Sequence, residues 1–180
     1  RSNNAKTNNN DDSHNEYVEE NFDWTTEYDK ARKLISTYSL EEKMLLLYST
    51  ENMQGTCVGS IDANINKGFP GICLQDGPAG VRFSSHTQSW QAAINTAATF
   101  NRTLMYEIGA AQGKEFHDKG INIALAPCVN YLRNPSGGRV WEAFGEDPFL
   151  TSEAGVQIIK GIQSQNVLAC LKHFIGNEIE

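Results

Sequence analysis

Three short apolar runs in this chain each end abruptly in polar side chains. Ile72-Cys73-Leu74 runs into Gln75-Asp76-Gly77-Pro78. Ile121 to Ala126 runs through Pro127 towards Gly138-Arg139-Val140-Trp141-Glu142. Val167 to Leu171 runs into Lys172-His173-Phe174. Near-continuous apolar runs of this length read as strands buried on both faces, the habit of parallel sheets. In α/β barrels the C-terminal ends of such strands carry the active site. Asp, Arg, Lys and His arriving at one rim make a polar pocket suited to a ligand rich in hydroxyl groups.

The segments between the runs read as helices and turns. Glu27 to Tyr38 is an expected helix. Ser39-Leu40-Glu41-Glu42 is a capping box opening a helix through Met44 to Leu47. Gly55 to Gly71 reads as a loop, followed by a first strand at 72–75. Trp90 to Ala98 is a short Ala-rich helix. Arg102 to Lys119 is a longer one, stopped by Gly120. The next strand follows at 121–126. Asp147-Pro148 is an N-cap followed by Pro at the first helical position, and that helix runs to about Gln165. Helix alternating with strand predicts βα units and a parallel sheet.

Residues 1–23 are rich in Asn, Asp and Glu and nearly free of aliphatics, which reads as a disordered tail or linker; the folded part is expected over 24–180. The chain opens on Arg1 without a signal-peptide pattern, as a mature or trimmed form would. Its 180 residues are few for a complete eight-stranded barrel, which takes roughly 250. Three or so strands cannot close one, and the expectation is the N-terminal piece of a longer protein.

The formal net charge is −7, and six of the 22 acidic residues fall in the first 23 positions. The remainder is only mildly acidic. Without clustered Lys and Arg it is no match for nucleic acid. No apolar stretch approaches the roughly 20 residues of a membrane span. The four cysteines have no zinc-site spacing, and no HExxH, GxxxxGK[ST], GxGxxG or GxSxG motif occurs, so no metal or organic cofactor is expected. Cys57 and Cys73 flank a Gly- and Asn-rich loop, which suits a disulfide in an oxidising compartment. Cys128 and Cys170 have apolar neighbours and read as buried thiols.

Each candidate site residue has a bland alternative. Asp76, before Gly77, is either a turn former or a carboxylate that accepts hydrogen bonds from ligand hydroxyls. Arg82 is either a surface cation or the partner that holds Asp76 ionised. Arg139 with Glu142 is either a loop ion pair or an Arg fork aimed at a sugar and oriented by the acid. Lys172 and His173 adjoin in sequence, so both reach one ligand only where their strand is ending or twisting. Asn177 and Glu178, just downstream, are placed to orient these cations. Asn101-Arg102-Thr103 is a glycosylation sequon at Asn101.

Taken together these segments resemble glycoside hydrolase family 3, and within it the fungal-type β-glucosidases, over about Ser39 to Glu180. The resemblance is carried by Gly71 to Arg82, Ala97 to Phe100, Gly113 to Phe116 with Lys119 to Ile121, Gly137 to Pro148, and Lys172 to Glu178. It implies an α/β fold, the N-terminal part of a TIM-like (β/α)8 barrel that is incomplete in this chain. It implies exo-acting, retaining hydrolysis of terminal β-D-glucosyl residues in β-glucosides and cello-oligosaccharides, without a cofactor, in a secreted protein. On the same resemblance Asp76 binds the far hydroxyls O4 and O6 of the terminal glucose, with Arg82 in support. Arg139, Lys172 and His173 then bind the hydroxyls nearer the reacting carbon, and Cys57 and Cys73 match a disulfide of secreted fungal relatives. The family's nucleophilic Asp and its acid/base Glu lie beyond residue 180, so no catalytic carboxylate is assigned here. A β-xylosidase or other exo-glycosidase of the family, and a non-catalytic sugar-binding module, remain the alternatives.

Overall fold

The computed structural model describes residues 23–49 and 55–179. The predicted tail, apart from Asp23, lies outside the described residues. The chain divides into two units, the first ending at Ser36. Within the first, helix α1 spans Thr25–Ser36; the Asp23 carboxylate accepts from the Thr25 N–H at 2.9 Å, and Lys30 meets Glu27 at 2.7 Å.

The second unit, Thr37–Glu180, holds a four-stranded sheet in the order β1-β2-β3-β4. Its strands are β1 (Gly59–Ile61), β2 (Ile72–Asp76), β3 (Ile123–Leu125) and β4 (Leu168–Ala169). The pairs β2–β3 and β3–β4 are parallel, as the apolar runs predict, with Asp76 opposite Leu125 and Ile123 opposite Leu168. The pair β1–β2 is antiparallel, so the sheet is mixed rather than purely parallel. Gly59-Ser60-Ile61 lies inside the stretch expected to be loop. Three residues between Val58 and Asp62 are too short to show the alternation that marks a strand. A 3₁₀ turn, Ile65–Lys67, then leads back to β2.

Helix α2 (Leu40–Leu45) opens on the predicted capping box. The Glu42 N–H donates to Ser39 Oγ at 3.2 Å, and the Ser39 N–H to the Glu42 carboxylate at 2.7 Å. Helix α3 (Ala93–Ala97) is shorter than its Ala-rich sequence predicts. Helix α4 (Arg102–Asp118) is capped by Asn101, whose Oδ1 accepts from the Leu104 N–H at 3.0 Å, and its C-terminal end is followed by Gly120 at a φ of 76°. Helix α5 (Pro148–Gln163) starts on Asp147, which accepts from the Phe149 N–H at 2.9 Å. No described helix is long and apolar enough to cross a membrane.

The core lies between the sheet and the α4–α5 pair, with Phe116, Met105, Ile158, Ile162, Ala124 and Val167 buried. The two helices touch backbone to backbone. A Cβ on Gly161 would sit 2.4 Å from Tyr106 O, and one on Gly109 would sit 2.5 Å from Ile158 O. Small residues at these positions let the helices close against each other and cover the parallel strands. Cys128 is buried, but Cys170 is exposed, contrary to the expectation of two buried thiols. Cys170 follows the two-residue β4, among the described residues an edge strand, so its apolar neighbours form no enclosing layer.

Candidate active site

Parallel pairing puts the C-terminal ends of β2, β3 and β4 on one edge of the sheet. Asp76 closes β2 there. The next residue packs against Phe116: a Cβ at Gly77 would lie 2.1 Å from that ring, so glycine lets the chain turn directly over the core. β3 continues through Pro127 to Cys128, which bridges in parallel to Lys172. Lys172 thus arrives beside Asp76 although 96 residues separate them.

Lys172 Nζ donates to Asp76 Oδ1 at 2.8 Å, and an Arg82 N–H donates to Asp76 Oδ2 at 3.0 Å. The Lys172 side chain is 11% exposed, Asp76 24% and Arg82 57%. Burial on its own raises the Asp76 carboxyl. The hydrogen bonds and charges of Lys172, and then of Arg82, outweigh it and hold the carboxyl below its ordinary range. Asp76 is therefore an ionised acceptor with two cationic donors, the arrangement that binds a pair of hydroxyls through charge-assisted hydrogen bonds. The loop beyond Arg82 is tied at Glu115, which accepts from Gln88 N–H at 2.5 Å and Trp90 Nε1–H at 3.1 Å.

A second group sits on the loop after β3. Arg139 grips Glu142 with two parallel bonds, Nε to Oε1 at 2.8 Å and an Nη to Oε2 at 2.9 Å. The Glu142 side chain is 10% exposed and the Arg139 side chain 37%, so the acid anchors the fork while part of the guanidinium faces outward. Arg139, His173, Asn177 and Glu178 line one small recess with Asn130 and Cys128. β4 ends at Ala169, before Lys172 and His173. The two groups join at Cys128. It bridges to Lys172 and its sulfur lies 3.8 Å from His173 Nδ1. Burial pushes its thiol up, with lesser opposing influences from Asn130 N–H, Lys172 and Arg139 and a reinforcing one from Glu142.

The acid that orients Lys172 is Asp76, across the sheet, while Glu178 lies 3.5 Å from Arg133 Nε. Asn101 serves as the α4 cap and is exposed, away from the recess. Cys57 and Cys73 are bonded, their Cα atoms 5.3 Å apart. Two residues not singled out from sequence support the site. Gln75, fully buried, accepts from the Asp76 N–H at 2.7 Å and donates its amide to Thr56 O. Asn130 Oδ1 accepts from the His173 backbone N–H at 2.8 Å and lies 3.1 Å from the ring nitrogen Nδ1. The signal for Gln75 was its place as the first polar residue after an apolar run; Asn130, two residues beyond Cys128, had none. Among the described residues no three His, Cys, Asp or Glu side chains converge as metal ligands.

Residues 30–179 match the model of the glycosyl hydrolase family 3 N-terminal domain. The chain belongs to glycosyl hydrolase family 3. Within that family it is 48% identical over 158 residues to probable beta-glucosidase F of Aspergillus fumigatus, covering 87% of this chain and 18% of that one. It is 45% identical over 156 residues to beta-glucosidase 2 of Saccharomycopsis fibuligera, covering 86% and 18%. Among solved structures it superposes on beta-glucosidase D2-BGL from Chaetomella raphigera with a TM-score of 0.82 and 38% identity, over 88% of this chain and 22% of the other. The glucose complex of beta-glucosidase 3B from Thermotoga neapolitana gives 0.76 and 34%, over 84% and 24%. This family 3 chain therefore spans less than a quarter of the length of these relatives.

Proposed function

We propose that this chain is the N-terminal, sugar-positioning part of a secreted β-glucosidase, and that its sheet begins a (β/α)8 barrel. The complete polypeptide removes terminal β-D-glucosyl residues from β-glucosides and cello-oligosaccharides with retention of configuration. The observation that carries the reading is the contact between Lys172 and Asp76, made at the strand ends next to the Arg139–His173 recess.

In this reading Asp76 takes the hydroxyls remote from the reacting carbon, and Arg82 steadies that corner. Arg139, held by Glu142, takes those nearer the anomeric centre with Lys172 and His173. Retaining hydrolysis needs two carboxyl groups about 5–5.5 Å apart on either side of the scissile bond. Asp76 is committed to Lys172 and Arg82, and Glu142 to Arg139, so neither is available to attack or to protonate. The nucleophile and the acid/base come from the rest of the polypeptide. These 180 residues contribute oriented hydrogen bonds, which lower the barrier to the extent that they tighten in the oxocarbenium-like transition state.

The test compares aryl β-glucoside and aryl β-xyloside turnover by the complete polypeptide, with and without Asp76→Ala. The reading expects the glucoside to be preferred and residues 1–180 alone to give no turnover. It also expects Asp76→Ala to lose activity roughly 100-fold, measured as kcat/KM, because two charge-assisted hydrogen bonds disappear. Full glucosidase activity in Asp76→Ala, or turnover by the isolated segment, overturns it.

A further inference from the structure

His173 has two ring nitrogens, and which one carries the proton decides whether a sugar hydroxyl meets a donor or an acceptor. The surroundings of Asn130 fix the answer. Asn130 is 8% exposed, so its amide finds its partners inside the protein. The His173 backbone N–H lies 2.8 Å from Asn130 Oδ1. A backbone N–H only donates, so the atom facing it is the amide oxygen and not the nitrogen. That same oxygen lies 3.1 Å from His173 Nδ1. Two acceptors do not bond to each other, so Nδ1 carries a hydrogen. The Cys128 sulfur, 3.5 Å from the oxygen, contributes an S–H donor to the same atom.

We infer that Asn130 is a positioning residue: its side-chain oxygen selects the Nδ1–H form of His173, so that in the neutral ring Nε2 is the lone-pair nitrogen. In the proposed β-glucosidase, on which this assignment of ligand rests, Nε2 then accepts a hydrogen bond from a sugar hydroxyl, and that hydroxyl keeps its own oxygen to accept from a neighbouring cation such as Lys172 or Arg139. A His173 in the opposite tautomer presents an N–H instead and competes with those cations for the same oxygen lone pairs. Asn130 therefore acts on the order of donors and acceptors around the ring, through His173 and without touching the sugar.

Two measurements test this in the complete polypeptide. Solid-state spectra of protein labelled with ¹³C,¹⁵N-histidine, with His173→Gln to identify the signal, report the protonated ring nitrogen directly and need no activity. The expected result is Nδ1–H in the parent and in Asn130→Asp, where a carboxylate oxygen replaces the amide oxygen, and loss of that preference in Asn130→Ala. Nε2–H in the parent overturns the inference even if the enzyme hydrolyses glucosides. The kinetic arm is a double-mutant cycle on an aryl β-glucoside. Asn130→Ala lowers kcat/KM about tenfold, the loss of one oriented hydrogen bond, Asn130→Asp restores most of it, and Asn130→Ala costs nothing further on top of His173→Ala. An undiminished Asn130→Ala penalty in the His173→Ala background overturns the inference by showing that Asn130 acts on the fold. Absence of glucoside turnover by the parent refutes the proposed function, while the spectra still decide the tautomer.

Discussion

Asp76→Asn keeps the shape of the side chain and removes its charge, which makes it the sharpest probe of the strand-end cluster. Lys172, with 11% of its side chain exposed, loses its counter-charge. Stripping one member from a fully buried pair costs about 3–5 kcal/mol. Asp76 keeps 24% of its surface in water, and an Asn oxygen still accepts from Lys172, so the expected loss is about 2 kcal/mol at neutral pH. Arg82, 57% exposed, adds at most about 0.5 kcal/mol. The pH dependence has a definite sign. The folded-state carboxyl lies below its ordinary 3.8, so its stabilisation is complete above that value and disappears as pH falls through the folded-state value. Asn has no such dependence. Urea unfolding followed by tryptophan fluorescence should show the parent more stable than Asp76→Asn at pH 7, with the gap closing below about pH 4. A gap absent at pH 7, or equally large at about pH 2.5, refutes the electrostatic account.

Three further outcomes follow from the packing. Gly161→Ala puts a methyl 2.4 Å from Tyr106 O and 2.5 Å from Ala110 N, so it should lower unfolding stability by about 2 kcal/mol, where Ala for Gly in an open helix adds about 1 kcal/mol; a raised melting temperature contradicts the contact. A thiol reagent at pH 8 should label Cys170 in the native protein and Cys128 only on unfolding, because Cys128 is buried and its thiol is pushed up; mass spectrometry of the labelled peptides decides it. Asn101→Ala removes the α4 cap at a cost of about 1 kcal/mol in urea unfolding, whereas Asn101→Asp, which keeps a capping oxygen, should lose little.

What the sequence made legible follows from how local each signal is. The strands at 72–76 and 123–125 were readable because each contains a run of three apolar residues, buried or half-buried in the sheet. The caps at Ser39, Asn101 and Asp147 complete their bonds within three residues, so their geometry is written into short patterns; Asn101 was read only as a sequon, although it caps α4. β1 escaped because it is three residues long and takes its stability from pairing with β2, which local pattern does not record. Cys170 was misjudged because apolar neighbours in sequence do not enclose a residue beside an edge strand. At the site, Asp76, Lys172 and the Arg139–Glu142 pair stood out as charges after apolar runs. The roles of Asn130 and Gln75 were not legible, because they depend on which distant backbone groups, the His173 N–H and the Thr56 carbonyl, the fold brings to their amides.

The Cys57–Cys73 bond has a consequence reaching beyond the strand it secures. Thr56 immediately precedes Cys57, and its carbonyl receives the Gln75 amide whose other end holds the Asp76 N–H. One covalent link therefore braces, through a single buried glutamine, the carboxylate proposed to grip the glucose. Molecules that finish folding where thiols stay reduced would leave that brace slack, so the history of a molecule's maturation, and not its sequence alone, sets how firmly that carboxylate is held.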